Sequence, residues 1–277
     1  MTLRIGISGW TYAPWRGGAF YPKGLRQRDE LDYVAHRMNS VEINGSFYSL
    51  QRPSSYARWA DSVPEDFVFA VKGSRFISHM KKLNEIEVPL ANLCASGVLA
   101  LGRKLGPILW QFPATFAFDE GRMDHFMTLL PRTTGAAAEL SLRHDERVQE
   151  DRALTATADP GLPVRHAFEM RHESFRSPAF ADLLRRHQMS MVMADNPGRW
   201  PIFEEVLTDF MYLRLHGHEQ LYASGYSDPE LDEWADRIRG WRNSGQDVYV
   251  YCDNDAKVRA PYDAMGLMQR LGVDPSA

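Results

Sequence analysis

Residues 165–195, RHAFEMRHESFRSPAFADLLRRHQMSMVMAD, read as one strand–helix–strand unit. The run Arg165 to Arg171 is short, largely apolar and ends in charge. Ser177 followed by Pro178 has the form of a helix N-cap with a first-turn proline, and Phe180, Leu183, Leu184 and His187 then repeat at helical spacing. A second apolar run, Met189 to Asp195, ends on a carboxylate. Two buried strands joined through a helix pair in parallel by a right-handed crossover, because a twisted strand packs its helix back onto the sheet only that way.

The pattern repeats in both directions. Further apolar runs ending in polar residues span Arg4 to Ser8, Ser40 to Asn44, Phe67 to Lys72, Gly106 to Gln111, Met211 to His216 and Asp247 to Asp253. Between the runs lie helical sets such as Leu31, Val34, Ala35 and Met38, and Leu90, Leu93, Cys94 and Leu101. A first-turn proline at Pro229 behind Asp228 opens the helix carrying Leu231, Trp234 and Ile238. Eight strands alternating with helices predict an α/β fold, a single (β/α)8 TIM barrel. The 277 residues match the about 250 typical of one such domain, so residues 1–277 read as one unit. Residues 133–163 form a longer, decorated connection with an alanine-rich helical start. An open doubly wound sheet is the rival, but no GxGxxG turn supports it.

Composition narrows the function classes. With 32 basic and 36 acidic residues the formal net charge is −4, which excludes a wholesale polyanion-binding surface. Local basic runs remain: Arg16, Lys23, Arg26 and Arg28, then Arg75, His79, Lys81 and Lys82. They read first as solvated loop charge, and His79, His125, His144 and His187 as surface or capping residues. No apolar run of roughly 18 residues and no leader pattern is visible, so a cytoplasmic protein with no membrane partner is expected. Cys94 and Cys252 show no metal or redox spacing and read as buried thiols.

In this fold chemistry sits at the C-terminal strand ends. Parity along each strand sets Glu42 and Asn44 against Val41 and Ile43, Glu169 and Arg171 against Phe168 and Met170, and Arg214 and His216 against Leu213 and Leu215. The apolar parity faces the helices, so the charged parity faces a ligand. Glu42 and Glu169 are the acid/base candidates, and Lys72 and His216 the electrophilic or proton-transfer candidates. Arg171 and Arg214 are the anion clamps. Ser8, Tyr12, Asn44, Gln111, His172, Asp195, Asp253 and Asn254 complete the ligand-binding set, with Trp10 and Tyr48 as stacking surfaces. The bland alternative is an ion-paired interior that neutralises its own charges. No metal ligand is assigned: a divalent metal is compatible with the carboxylates but not favoured, because no HxH or HExxH pair occurs and the cations compete for them. No nucleotide-cofactor motif, glycine-rich phosphate loop or GxSxG elbow is present, so the cofactor is left unknown.

The blocks GISGWTYAPWRGGAFYP, VEINGSFYSLQRPSSYARWADSVPEDFVFAVKGSRFISHMKKL, LGPILWQFP, FEMRHESF, MADN, YLRLHG and VYVYCDND, in that order, closely resemble the YecE-like family, a domain of unknown function. The resemblance covers nearly the whole chain and implies a TIM barrel but no reaction. Such barrels are similar to the endonuclease IV and xylose isomerase group, an analogy of fold alone that suggests hydrolase or isomerase chemistry. Two readings are carried forward. One is an enzyme acting on a small-molecule ligand bearing a sugar, base or phosphate; the other is a non-catalytic nucleic-acid-binding protein.

Overall fold

A computed structural model describes residues 1–274. Its strands are β1 Leu3–Ser8, β2 Ser40–Ile43, β3 Val68–Lys72, β4 Leu105–Gln111, β5 His166–Glu169, β6 Ser190–Asp195, β7 Phe210–Leu215 and β8 Asp247–Cys252. They follow one another in chain order in a closed parallel barrel, so the chain has the (β/α)8 fold. The helices are α1 Glu30–Ala35, α2 Gly45–Tyr48, α3 Pro53–Asp61, α4 Glu87–Ala95, α5 Glu120–Leu129, α6 Thr134–Ser141, α7 Pro178–Arg186, α8 Asp228–Asn243 and α9 Ala260–Leu271. Among the described residues no helix is long and apolar enough to cross a membrane.

Backbone contacts divide the chain into two compact units. One comprises Met1–Glu42, Val63–Val68 and the chain from Ser190 onward. Here β8 pairs with β1, Ile7 opposite Cys252, and β1 with β2, Ser8 opposite Glu42. On the other side β8 pairs with β7, and β7 with β6. Ile5, Ile7, Val41, Leu213, Leu215, Val248 and Val250 are buried along these strands, each contributing roughly 1.5–3 kcal/mol by leaving water. Gly6 permits the β1–β2 approach, since a Cβ there would lie 1.8 Å from the Ser40 carbonyl oxygen. Helix α8 starts one residue earlier than Asp228-Pro229 suggests. Its cap is Ser227, which forms a reciprocal capping box with Glu230 and satisfies the first backbone donors.

The second unit comprises Ile43–Ser62 and Phe69–Met189. Strands β3, β4 and β5 pair in order, with Lys72 opposite Leu109 and Gln111 opposite Glu169. Strand β5 ends at Glu169, whose carbonyl accepts from Phe112 N, two residues short of the run read from sequence. An aromatic core of Trp110, Phe112, Phe126 and Phe168 lies behind these strands. At the end of β3, Gly73 accommodates the Trp110 ring, which a Cβ would meet at 2.5 Å. The helical run from Leu90 to Leu101 is broken: α4 stops at Ala95, and Gly97 turns left-handed at φ 113° before a 3-10 stretch. In the connection 133–163, α6 is capped by Thr133.

Candidate functional site

In the first unit, the residues at the ends of β1, β2, β7 and β8 close into one buried network. Arg214 donates from Nε to Glu42 Oε2 at 3.1 Å and from Nη2 to Glu42 Oε1 at 2.8 Å, and Nη2 also reaches Ser8 Oγ at 3.0 Å and Asp253 Oδ2 at 2.9 Å. Glu42 further accepts the Ser8 hydroxyl at 2.7 Å and the Tyr212 hydroxyl at 2.6 Å. Burial, and then the Glu42 charge, push the Tyr212 phenol well above its ordinary pKa, so it stays a donor. His216 Nδ1 lies 2.9 Å from Asp253 Oδ2. Glu42 and Arg214 are both wholly buried.

Other expected ligand residues of this unit hydrogen-bond to the surrounding loops. Asp195 accepts the Tyr226 hydroxyl at 2.7 Å, and that oxygen accepts from Gly217 N. Asn254 Nδ2 donates to Asp263 Oδ2 at 2.6 Å and to the Ser224 carbonyl. The Tyr12 hydroxyl donates to the Ser8 carbonyl at 2.5 Å, and the Trp10 carbonyl accepts from Tyr21. Two residues absent from the sequence reading enter here. Trp200 packs edge-on to His216 at 6.0 Å, beside Tyr222. Asp255 has its carboxyl pKa raised by burial and by the neighbouring Asp253 charge; the spacing Asp253-Asn254-Asp255 was its only sequence signal.

In the second unit, Gln111 Nε2 donates to both oxygens of Glu169, at 2.9 and 3.0 Å, and Arg171 holds Oε1 through Nε and Nη2, each at 2.7 Å. Lys72 places Nζ 4.5 Å from the centre of the Phe47 ring, a cation–π contact. Ser46 fixes the approach of α2 by donating to the Lys72 and Ile43 carbonyls. Lys72 is 8% exposed and the Arg171 side chain 13%. Asn44 Oδ1 is buried and accepts no hydrogen bond, leaving an acceptor whose desolvation is uncompensated. His172 turns away and caps the turn Glu173–Phe175 through Ser174.

His79, read from sequence as a surface or capping residue, belongs with this group. Its pKa is held down to about 4 by burial, then by Arg171, Lys72 and Arg75, so the imidazole is neutral and senses a positive field. It sits on a π-helical turn, Phe76–Met80, with Nδ1 2.9 Å from Ser78 Oγ and its ring edge-on to Phe47. The chain then places Lys82, Leu83 and Glu85 at φ 49°, 66° and 47°. Non-glycine residues there cost of order 1–3 kcal/mol each, and such strain gathers at ligand sites. Buried Leu83, with its N–H on the Ile77 carbonyl, and the Lys81–Glu85 pair hold the conformation. The signal available in sequence was the cation-rich run RFISHMKK after a strand end; a π turn has no such signature.

Among the described residues no three His, Cys, Asp or Glu side chains are arranged to hold a metal ion. The donor set explains this: the buried carboxylates Glu42 and Glu169 are occupied by the guanidinium groups of Arg214 and Arg171.

The family described as "Protein of unknown function DUF72" matches residues 4–277. UPF0759 protein YecE of Escherichia coli (strain K12) is 30% identical over 130 residues, 47% of this chain and 44% of that relative, so the match spans less than half of YecE. UPF0759 protein YunF of Bacillus subtilis (strain 168) is 20% identical over 99% of this chain and 96% of its own length. Among solved structures, a DUF72 family protein of Thermotoga maritima superposes with TM-score 0.75 at 24% identity, covering 98% of this chain and 100% of that one. D-psicose 3-epimerase of Clostridium cellulolyticum H10, solved with D-tagatose, gives TM-score 0.51 at 10% identity over the whole of both chains, a likeness of fold.

Proposed function

The chain belongs to the DUF72 family, and we propose that it is an enzyme whose ligand carries an anionic group, a phosphate on a sugar or base, received by Lys72 and Arg171. One observation carries this reading: at the ends of β3 and β5 two nearly buried cations stand beside Glu169, and together with exposed Arg75 they act on His79 as one positive field. An arriving anion complements a group of cations gathered in this way. Phosphate suits a guanidinium fork beside an ammonium.

Within this reading Glu169, oriented by Gln111 and Arg171, is the acid/base residue, and Lys72 is its proton-transfer or electrophilic partner. Neutral His79 exchanges a hydrogen bond without adding charge. Asn44 Oδ1 accepts a ligand hydroxyl or amine. Glu42 and Arg214 are assigned to holding the strand ends, because every face of that carboxylate is engaged. Glu169→Gln and Lys72→Met should abolish turnover of the responsive member of a panel of phosphorylated sugars and nucleotides, with melting temperature preserved. Undiminished turnover in both variants would reject the assignment.

The second reading, nucleic-acid binding without catalysis, draws on Tyr48 and Arg75, which are both exposed. It requires affinity for DNA or RNA that falls steeply with salt as counterions are released.

A further inference from the structure

Tyr48 is the last residue of α2, and its side chain is 70% exposed. It is nonetheless held: its ring stands perpendicular to Phe47 at 5.1 Å, and Phe47 is the ring that carries the Lys72 ammonium. The aromatic surface and the cation are therefore fixed to each other through one buried side chain, within the span of a mononucleotide. Above the Tyr48 ring lies the Arg75 guanidinium, 6.0 Å from its centre. Two stacked contacts at about 3.5 Å each need a gap of about 7 Å. Arg75 is exposed, and a ring entering there requires its side chain to move outward by about 1 Å. An exposed tyrosine beside an arginine plane offers a flat ring two faces to stack on, and its own burial adds to the gain.

We propose that the ligand is a nucleotide, its phosphate on Lys72 and Arg171 and its base inserted between Tyr48 and Arg75. This rests on the anion-site reading above and adds the identity of the second moiety. A sugar phosphate uses the cations alone; a nucleotide uses the cations and both planar groups.

The test is calorimetric titration with inorganic phosphate, ribose 5-phosphate and AMP, on the unmodified protein and on Tyr48→Ala, Tyr48→Phe and Arg75→Ala. AMP should bind about tenfold more tightly than ribose 5-phosphate, the scale of one base–aromatic stack. Tyr48→Ala should erase that preference while leaving inorganic phosphate unchanged, and Tyr48→Phe should restore it. Because Tyr48 is exposed, all the variants should fold, as circular dichroism will verify. Equal affinity for AMP and ribose 5-phosphate overturns the nucleotide assignment and leaves the anion site standing. Failure of all three probes overturns the anion site and the assignment with it. Binding of polynucleotides without mononucleotides overturns the assignment in favour of nucleic acid.

Discussion

Arg214 and Glu42 meet through two parallel hydrogen bonds, 2.8 and 3.1 Å, with neither side chain exposed to water. Removing one member leaves the other charge buried without its partner, at about 3–5 kcal/mol. Arg214→Leu and Glu42→Leu should each lower unfolding free energy by that amount in urea, and the double replacement should recover most of it. Single variants that unfold like the unmodified protein would show that the pair is not the anchor proposed here.

Lys72→Ala and Arg171→Ala should each weaken inorganic phosphate by about tenfold or more, the equivalent of one charge-assisted hydrogen bond. His79 provides an independent reading. Burial, and then the cations Arg171, Lys72 and Arg75, hold its pKa at about 4; saturating phosphate offsets the part due to the cations, so the NMR titration midpoint of His79 should rise. A midpoint indifferent to phosphate means that no anion enters that field.

Acid should weaken the fold through His166. Its Nδ1 accepts from Trp110 Nε1 at 3.1 Å and its Nε2 donates to the Pro131 carbonyl at 2.8 Å, so a second proton has no acceptor. Burial holds its pKa down to about 4, below the usual 6.5. Between those values the unfolded chain binds the extra proton and the folded chain does not, so stability rises with pH across this window. Roughly 3 kcal/mol is present above pH 6.5 and lost as pH falls towards 4. Urea midpoints measured from pH 7 to 4 should fall, and fall less in His166→Gln.

Gly73→Ala should displace the Trp110 ring, since the new methyl would stand 2.5 Å from two ring carbons. Overpacking of this kind costs about 1–3 kcal/mol. A lowered melting temperature with altered near-ultraviolet dichroism is expected; an unchanged spectrum would mean that the ring has room.

The barrel was legible because each buried strand is a short apolar run closed by a polar residue, a pattern set by burial on both faces. Ser8, Lys72, Gln111, Glu169 and Asp195 fall on the last residues of their strands, and His216 and Asp253 on the residues next after theirs. What sequence could not supply was the partner of each polar group. Parity treats Glu42 and Glu169 alike, yet Glu42 is enclosed by Ser8, Tyr212 and Arg214, and Glu169 is held by Gln111 and Arg171. His79 was missed because its position depends on an irregular turn, and Trp200 because Asn196 folds its loop through four hydrogen bonds that no periodicity encodes. The break at Gly97 was visible as a glycine, but its closeness to Pro53 was not.

The Trp110 indole packs against Gly73, the residue after Lys72, and donates its N–H to His166. One fluorophore therefore borders both the strand end that presents the ammonium and the imidazole that responds to acid. The chain carries its own optical reporter. The difference in emission between the unmodified protein and Trp110→Phe isolates that signal, so ligand capture and proton uptake can be followed in real time without an attached label.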